Sequence, residues 1–202
     1  MEAKEPVGKA PIALAAEPAR APLAARGEPA AAAAGAATAP RPLLMVDIDG
    51  VISLFGSPQR RPGEHGSTDG CFHSIDGTPH FLSSAAAAHL LELGSLFDLV
   101  WASGWEERAN EHLPHLLGLP PALPFLRFAR APGRATAHWK LASIDAYAGE
   151  RPLAWIDDAL GPACEQWAAA RAAPTLLVQT APERGLTAHE AELLRAWARQ
   201  LR

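Results

Sequence analysis

Lysine is almost missing from this sequence. The 202 residues contain only Lys4, Lys9 and Lys140, so the chain beyond residue 41 carries one ammonium side chain and otherwise relies on arginine. Cysteine is scarcer still. Cys71 and Cys164 stand far apart with no CxxC pair, and the eight histidines are scattered, which argues against a zinc knuckle. Nothing in their placement requires a disulfide, and two free thiols in a reducing compartment are expected. No apolar run approaches the roughly 20 residues that span a bilayer. Glu2, Glu5, Glu17 and the early prolines break the basic-then-apolar pattern of a secretory leader. The chain is therefore expected in the cytoplasm, with no membrane partner. A net charge of −4 leaves no global basic character, which argues against a general nucleic-acid binder.

The remaining composition, 49% hydrophobic and 20% charged, suits one globular domain with residues to spare. Those spare residues lie at the start. Residues 1–40 are dominated by alanine and proline, with four acidic and four basic side chains and few large apolar ones. Prolines at 6, 11, 18, 22, 29 and 40 interrupt any helix that the alanines favour. Such a segment cannot offset its ordering entropy, so it reads as a disordered tail or an over-extended gene start. The domain is expected over residues 41–202.

Along that domain, apolar strands alternate with amphipathic helices. The apolar run from Leu43 that ends at Asp47 reads as a buried strand, and residues 53–70, rich in Gly, Pro, Ser and Arg, as loop. Phe72 to Leu82 predicts a hairpin turning at Asp76-Gly77. Ser83 or Ser84 can cap a helix over Ala85–Leu93. Phe97–Ala102 is a second strand, and Glu106–Leu117 a helix closed by Gly118 and Pro120. Pro124–Phe128 reads as a third strand, His138–Ala148 as a helix and Pro152–Ile156 as a fourth strand. A helix near 162–171, a strand over Thr175–Gln179 and a helix from about Thr187 complete the chain. No internal repeat is visible. This alternation predicts an α/β fold with a parallel sheet covered on both faces.

Polar residues gather at the ends of those strands. The first strand runs out into Asp47 and Asp49, followed by Gly50; the second ends in Ser103-Gly104; the fourth ends in Asp157-Asp158. Lys140 starts the helix before the fourth strand. In open α/β sheets, the crevice beyond the carboxyl ends of the strands is where ligands sit. Carboxylates converging there repel one another unless a divalent cation neutralises them. All-oxygen ligands with no nearby cysteine point to Mg²⁺. Ser103-Gly104 opening a helix offers a hydroxyl and backbone N–H groups to an anion, and Lys140 adds positive charge. Acids, magnesium and an anion cradle describe a phosphate site.

These residues, in this order, resemble the four motifs of the haloacid dehalogenase (HAD) superfamily: Asp47-x-Asp49-Gly50-Val51, Ser103 after an apolar strand, Lys140, and Asp157-Asp158. More narrowly, Val100-Trp101-Ala102-Ser103-Gly104-Trp105-Glu106, Leu117-Gly118-Leu119-Pro120 and Ala154-Trp155-Ile156-Asp157-Asp158 are similar to the small HAD domains associated with RNA-repair proteins. The resemblance covers about residues 43–180. It implies a three-layer Rossmann-like sheet and a Mg²⁺-dependent phosphatase working through an aspartyl-phosphate intermediate. Asp47 would be the nucleophile and Asp49 the general acid and base. Ser103, Gly104 and Lys140 would hold the transferring phosphoryl group, and Asp47, Asp49, Asp157 and Asp158 would supply the metal shell. Two other readings share the scaffold. One is a non-catalytic phosphate- or nucleotide-binding module; the other is a receiver-type switch, which fits the strand origins of these residues poorly.

Each residue also has an ordinary explanation. Asp49-Gly50 makes a plain turn, Asp157-Asp158 or Ser103 a helix cap, and Lys140 a solvated side chain. Trp101 and Trp155 lie within strands and are expected in the core. Trp105, next to the phosphate-holding pair, is a candidate for stacking on a base or sugar. His65, His73, His80 and Cys71 crowd one region with irregular spacing, a weak metal signal. The interval 53–83 has room for a hairpin flap but for no large cap domain, and 129–139 holds almost nothing. An open site admits a large phosphorylated substrate such as a polynucleotide end, as well as a nucleotide. From His112 to Ile144 there is no acidic residue, while Arg127, Arg130, Arg134 and Lys140 fall inside, a local basic strip that could follow a phosphate backbone. The oligomeric state is not legible from the sequence.

Overall fold

The computed structural model describes residues 40–55, 69–129 and 136–201. The alanine- and proline-rich tail through residue 39, the interior of the first loop with His65, and Arg130 and Arg134 lie outside the described residues.

Four parallel strands form the main sheet in the order β5-β1-β6-β7: β1 is Leu43–Val46, β5 Asp98–Trp101, β6 Leu153–Asp157 and β7 Thr175–Gln179. β1 lies between β5 and β6, pairing Met45 with Val100 on one side and with Trp155 on the other. It has no exposed face, which is why its sequence runs apolar without alternation. Alternate side chains feed two cores on opposite faces. Leu44, Val46, Trp101 and Ile156 pack with α1 (Ser84–Leu93), α2 (Arg108–Leu117) and α5 (Ala188–Gln200). Leu43, Met45, Val100 and Trp155 join Ile144 of α3 (Leu141–Ala148) and Cys164 of α4 (Pro162–Ala170). The result is the three-layer α/β arrangement expected. Trp101 and Trp155 are core residues, and both cysteines are free thiols. Among the described residues, no helix is long and apolar enough to cross a membrane.

The hairpin is present and larger than anticipated. β3 (Gly70–Ile75) and β4 (Thr78–Ser83) turn through Asp76 (φ 50°) and Gly77 (φ 78°), the paired left-handed geometry of a tight hairpin. Ser53–Leu54, expected as loop, adds a short antiparallel strand β2 beside β4. No large cap accompanies this small sheet among the described residues.

The expected third strand is corrected. Pro124–Phe128 contributes one bridge, Phe125 beside Trp101, held by Trp101 N–H to Pro124 O (2.8 Å) and Leu126 N–H to Trp101 O (2.9 Å). Prolines 120, 121 and 124 deny the segment a longer ladder. Asn110 of α2 takes up the backbone of the residue just before the segment. Its amide nitrogen donates to Leu123 O (2.8 Å), and its oxygen accepts from Leu123 N–H (3.2 Å) and the Trp101 indole (3.1 Å).

α5 opens with a capping box in which the Thr187 side chain and Glu190 satisfy each other's backbone N–H groups. Thr187→Ala should therefore cost about 1 kcal/mol of stability. Asn110→Ala strands three polar partners and should cost more, about 2–4 kcal/mol. Urea unfolding of both variants measures the difference.

Candidate active site

The strand order reverses direction at β1, and the residues singled out by the sequence converge beyond its carboxyl end. Together they line a cleft of about 510 Å³ that holds Asp47, Asp49, Ser103, Gly104, Trp105, Lys140, Asp157 and Asp158.

Asp47 directly follows β1. Its backbone N–H continues the sheet by donating to Ile156 O (3.0 Å), and its Oδ1 accepts from Ile48 N–H (2.8 Å). The chain then coils tightly. The N–H groups of Val51, Ile52 and Ser53 all point to Ile48 O, and Gly50 (φ 72°) donates to Ser53 O (2.7 Å). Gly50 is required here twice over. A side chain would be strained at that φ, and its Cβ would lie 2.3 Å from Asp158 Cγ. The buried Thr180 hydroxyl, donating to Gly50 O (2.8 Å), fastens the coil from the end of β7.

Asp157 ends β6 fully buried, and its Oδ1 accepts from Ala159 N–H (2.9 Å). Lys140 closes a single 3₁₀ turn over Ala137–Lys140, ahead of α3. Its ammonium is buried and bridges two acids, 2.8 Å from Asp47 Oδ2 and 2.7 Å from Asp157 Oδ2. The lone lysine of the domain thus sits between the two groups of acids.

Positive charge in the cleft falls short of negative. Burial, then repulsion from Asp47, pushes the Asp157 carboxyl up to about 6. The same two causes, in the same order, raise Asp158 and Asp49 above the ordinary carboxylate range. Burial disfavours the Lys140 ammonium, but Asp47 and Asp157 outweigh it and its pKa rises. One ammonium faces four carboxylates. Ligand oxygens of Asp47, Asp157 and Asp158 lie within 4.8 Å of one another, forming the one such group among the described residues. Closely spaced, charge-starved carboxylate oxygens fit a hard divalent cation such as Mg²⁺.

Several expectations change in detail. Asp49, expected among the ligands, stands outside that group, and its Oδ2 accepts from the Trp105 indole (3.1 Å). Ser103-Gly104 does not open a helix. Glu106 adopts a left-handed conformation (φ 49°) and delays α2 to Arg108, so the loop is a turn with Glu106 N–H donating to Ser103 O (3.1 Å). Ser103 is buried and Gly104 exposed. Trp105 is nearly buried rather than an open platform. Of the basic strip only Arg127 and Lys140 fall among the described residues. Lys140 turns inward, while Arg127 pairs with Glu106 (3.6 Å) and Glu107 (3.3 Å) from another element. His73 and His80 are cross-strand partners, and His80 hydrogen-bonds Ser53 (2.9 Å) rather than gathering with Cys71.

The sequence reading missed Phe55, Arg108, Thr136 and Trp139 on the cleft walls. Only the adjacency of Trp139 to Lys140 hinted at any of them.

Residues 43–191 match the family described as the HAD domain in Swiss Army Knife RNA repair proteins. No curated protein matches the chain. The family match spans well over half of the sequence and contains Asp47, Asp49, Ser103, Lys140, Asp157 and Asp158. The chain belongs to this family, and with it to the HAD-type hydrolases in general.

Proposed function

We propose that this domain is a Mg²⁺-dependent phosphatase that forms an aspartyl-phosphate on Asp47 and acts on nucleotides or phosphorylated polynucleotide ends. The observation that carries this reading is the buried Lys140 ammonium, within 2.8 Å of Asp47 and 2.7 Å of Asp157 at the floor of an open cleft. An ammonium and an acid cluster sharing one pocket suit a dianion bound through a divalent cation.

The roles follow from position. Asp47 attacks phosphorus with a carboxylate oxygen as the bond to the leaving oxygen breaks. Asp49, two residues further along the coil, gives its proton to that oxygen. It then takes a proton from the water that hydrolyses the acyl phosphate. Burial and repulsion from Asp47 raise its pKa, the direction a general acid needs. Lys140, the Ser103 hydroxyl and the turn N–H groups hold the non-bridging oxygens, a preorganised electrostatic role. Asp47, Asp157 and Asp158 would hold Mg²⁺, which supplies charge that screens the anionic nucleophile from the anionic substrate. Support for the substrate class comes from a cleft with no large cap among the described residues, from Phe55 and Trp139 on its walls, and from the RNA-repair setting in the family description. A screen of nucleotides, sugar phosphates and 3′- or 5′-phosphorylated oligonucleotides, with Mg²⁺ present or chelated, tests it.

Asp47→Asn should lower turnover of an aryl phosphate by roughly 10³-fold or more while the melting temperature holds. Near-normal activity in that variant rejects the mechanism. Gly50→Ala should weaken Mg²⁺ binding roughly 10-fold or more, because the new methyl displaces Asp158; calorimetric titration reads the change. The folded chain holds the Asp157 proton at about 6 against an ordinary value of 3.8. The associated stability is therefore full below the ordinary value and lost as pH rises through about 6 in the metal-free protein. Thermal melts should accordingly show a larger Mg²⁺-induced rise at pH 7.5 than at pH 5, about 3 °C or more. An equal rise at both would contradict it.

A further inference from the structure

We infer that Trp105 is a positioning residue for Asp49: its indole N–H fixes one carboxyl oxygen, so that the other presents the proton to the leaving group. The inference rests on the phosphatase reading above and assigns Trp105 a task other than stacking on substrate.

The contact is specific. Trp105 Nε1–H donates to Asp49 Oδ2 at 3.1 Å. An indole nitrogen can donate but cannot accept. Oδ2 therefore acts as an acceptor whether Asp49 is ionised or neutral, and because a carbonyl oxygen accepts better than a hydroxyl oxygen, the contact favours the proton of the neutral acid on Oδ1. A carboxyl without that partner rotates freely between two equivalent oxygens. With it, one oxygen is anchored and one is committed to proton transfer, from Oδ1 to the leaving oxygen as the ester bond breaks. The same oxygen takes the proton back from the attacking water.

The indole is itself held, and the small antiparallel sheet holds it. His80 of β4 packs edge-on against the Trp105 ring, with centroids 4.9 Å apart at 72°. Ser53 of β2, almost fully buried, places its hydroxyl 2.9 Å from His80 Nδ1. Arg108 sets its guanidinium 5.9 Å from the indole centroid and is paired with Asp76 in the hairpin turn. Ser53, His80 and Asp76 all come from the insert after the first strand. That insert is therefore a buttress for the acid, reached through one tryptophan.

Leaving-group dependence separates this role from simple packing. Protonation matters greatly for expulsion of an alkoxide and little for expulsion of nitrophenolate. Trp105→Phe keeps the aromatic ring and removes the N–H. Its kcat on a nucleoside 5′-monophosphate should fall at least 10-fold further than its kcat on p-nitrophenyl phosphate, roughly the scale of impaired general-acid catalysis. Asp49→Asn should show the same bias more strongly. Equal losses on both esters, or a change confined to KM, would overturn the inference while leaving the phosphatase reading intact. A wild-type chain inactive on every ester would sink that reading instead. The contact is then decided by NMR alone. The indole N–H resonance identified by its absence in Trp105→Phe should move upfield in Asp49→Ala, and an unmoved resonance overturns the assignment.

Discussion

The buried ammonium of Lys140 is the interaction on which the site depends. It touches Asp47 at the end of β1 and Asp157 at the end of β6, two acids that burial and mutual repulsion would otherwise drive apart or neutralise. A buried ion pair of this kind adds little to net stability, because desolvation consumes most of the attraction. Its value is geometric. It holds two strand ends and one helix start in a single register at the floor of the cleft.

The rest of the domain serves that register. β1 is buried between two parallel neighbours, with a core on each face, so the position of Asp47 is set by packing along the whole strand. The coil after it is tightened by three N–H groups on Ile48 O and tied to β7 through Thr180. That tightness brings Asp158 so close to Gly50 that no side chain fits between them. Charge excess and close approach thus coincide within a few residues. Such conflicts persist where the surrounding fold over-determines them and a ligand relieves them.

Much of the fold was legible because its signals are local. Continuous apolar runs marked the buried strands, Asp76-Gly77 marked the hairpin turn, and Ser83 and Thr187 marked helix starts. The failures were non-local. Pro124–Phe128 has the apolar character of a strand, yet side chains from another part of the chain take the backbone at its two ends, Asn110 at Leu123 and Glu106 at Phe128. Ser103-Gly104 has the residues of a helix start, yet Glu106 turns left-handed, its carboxylate accepting from Phe128 N–H at 2.9 Å. The pairing of Arg127 with Glu106 and Glu107 was not legible either, because acid partners from another element are invisible to a linear reading.

By itself, the sequence determined the order of strands and helices, the family motifs and the chemical identity of the acids, serine and lysine. These are properties of neighbouring residues and survive being read one window at a time. Only the tertiary structure decided which acids share a pocket and which oxygen faces which partner. It set Asp49 against the Trp105 indole and apart from the three-acid group, because hydrogen-bond direction and burial depend on chain segments more than 50 residues apart.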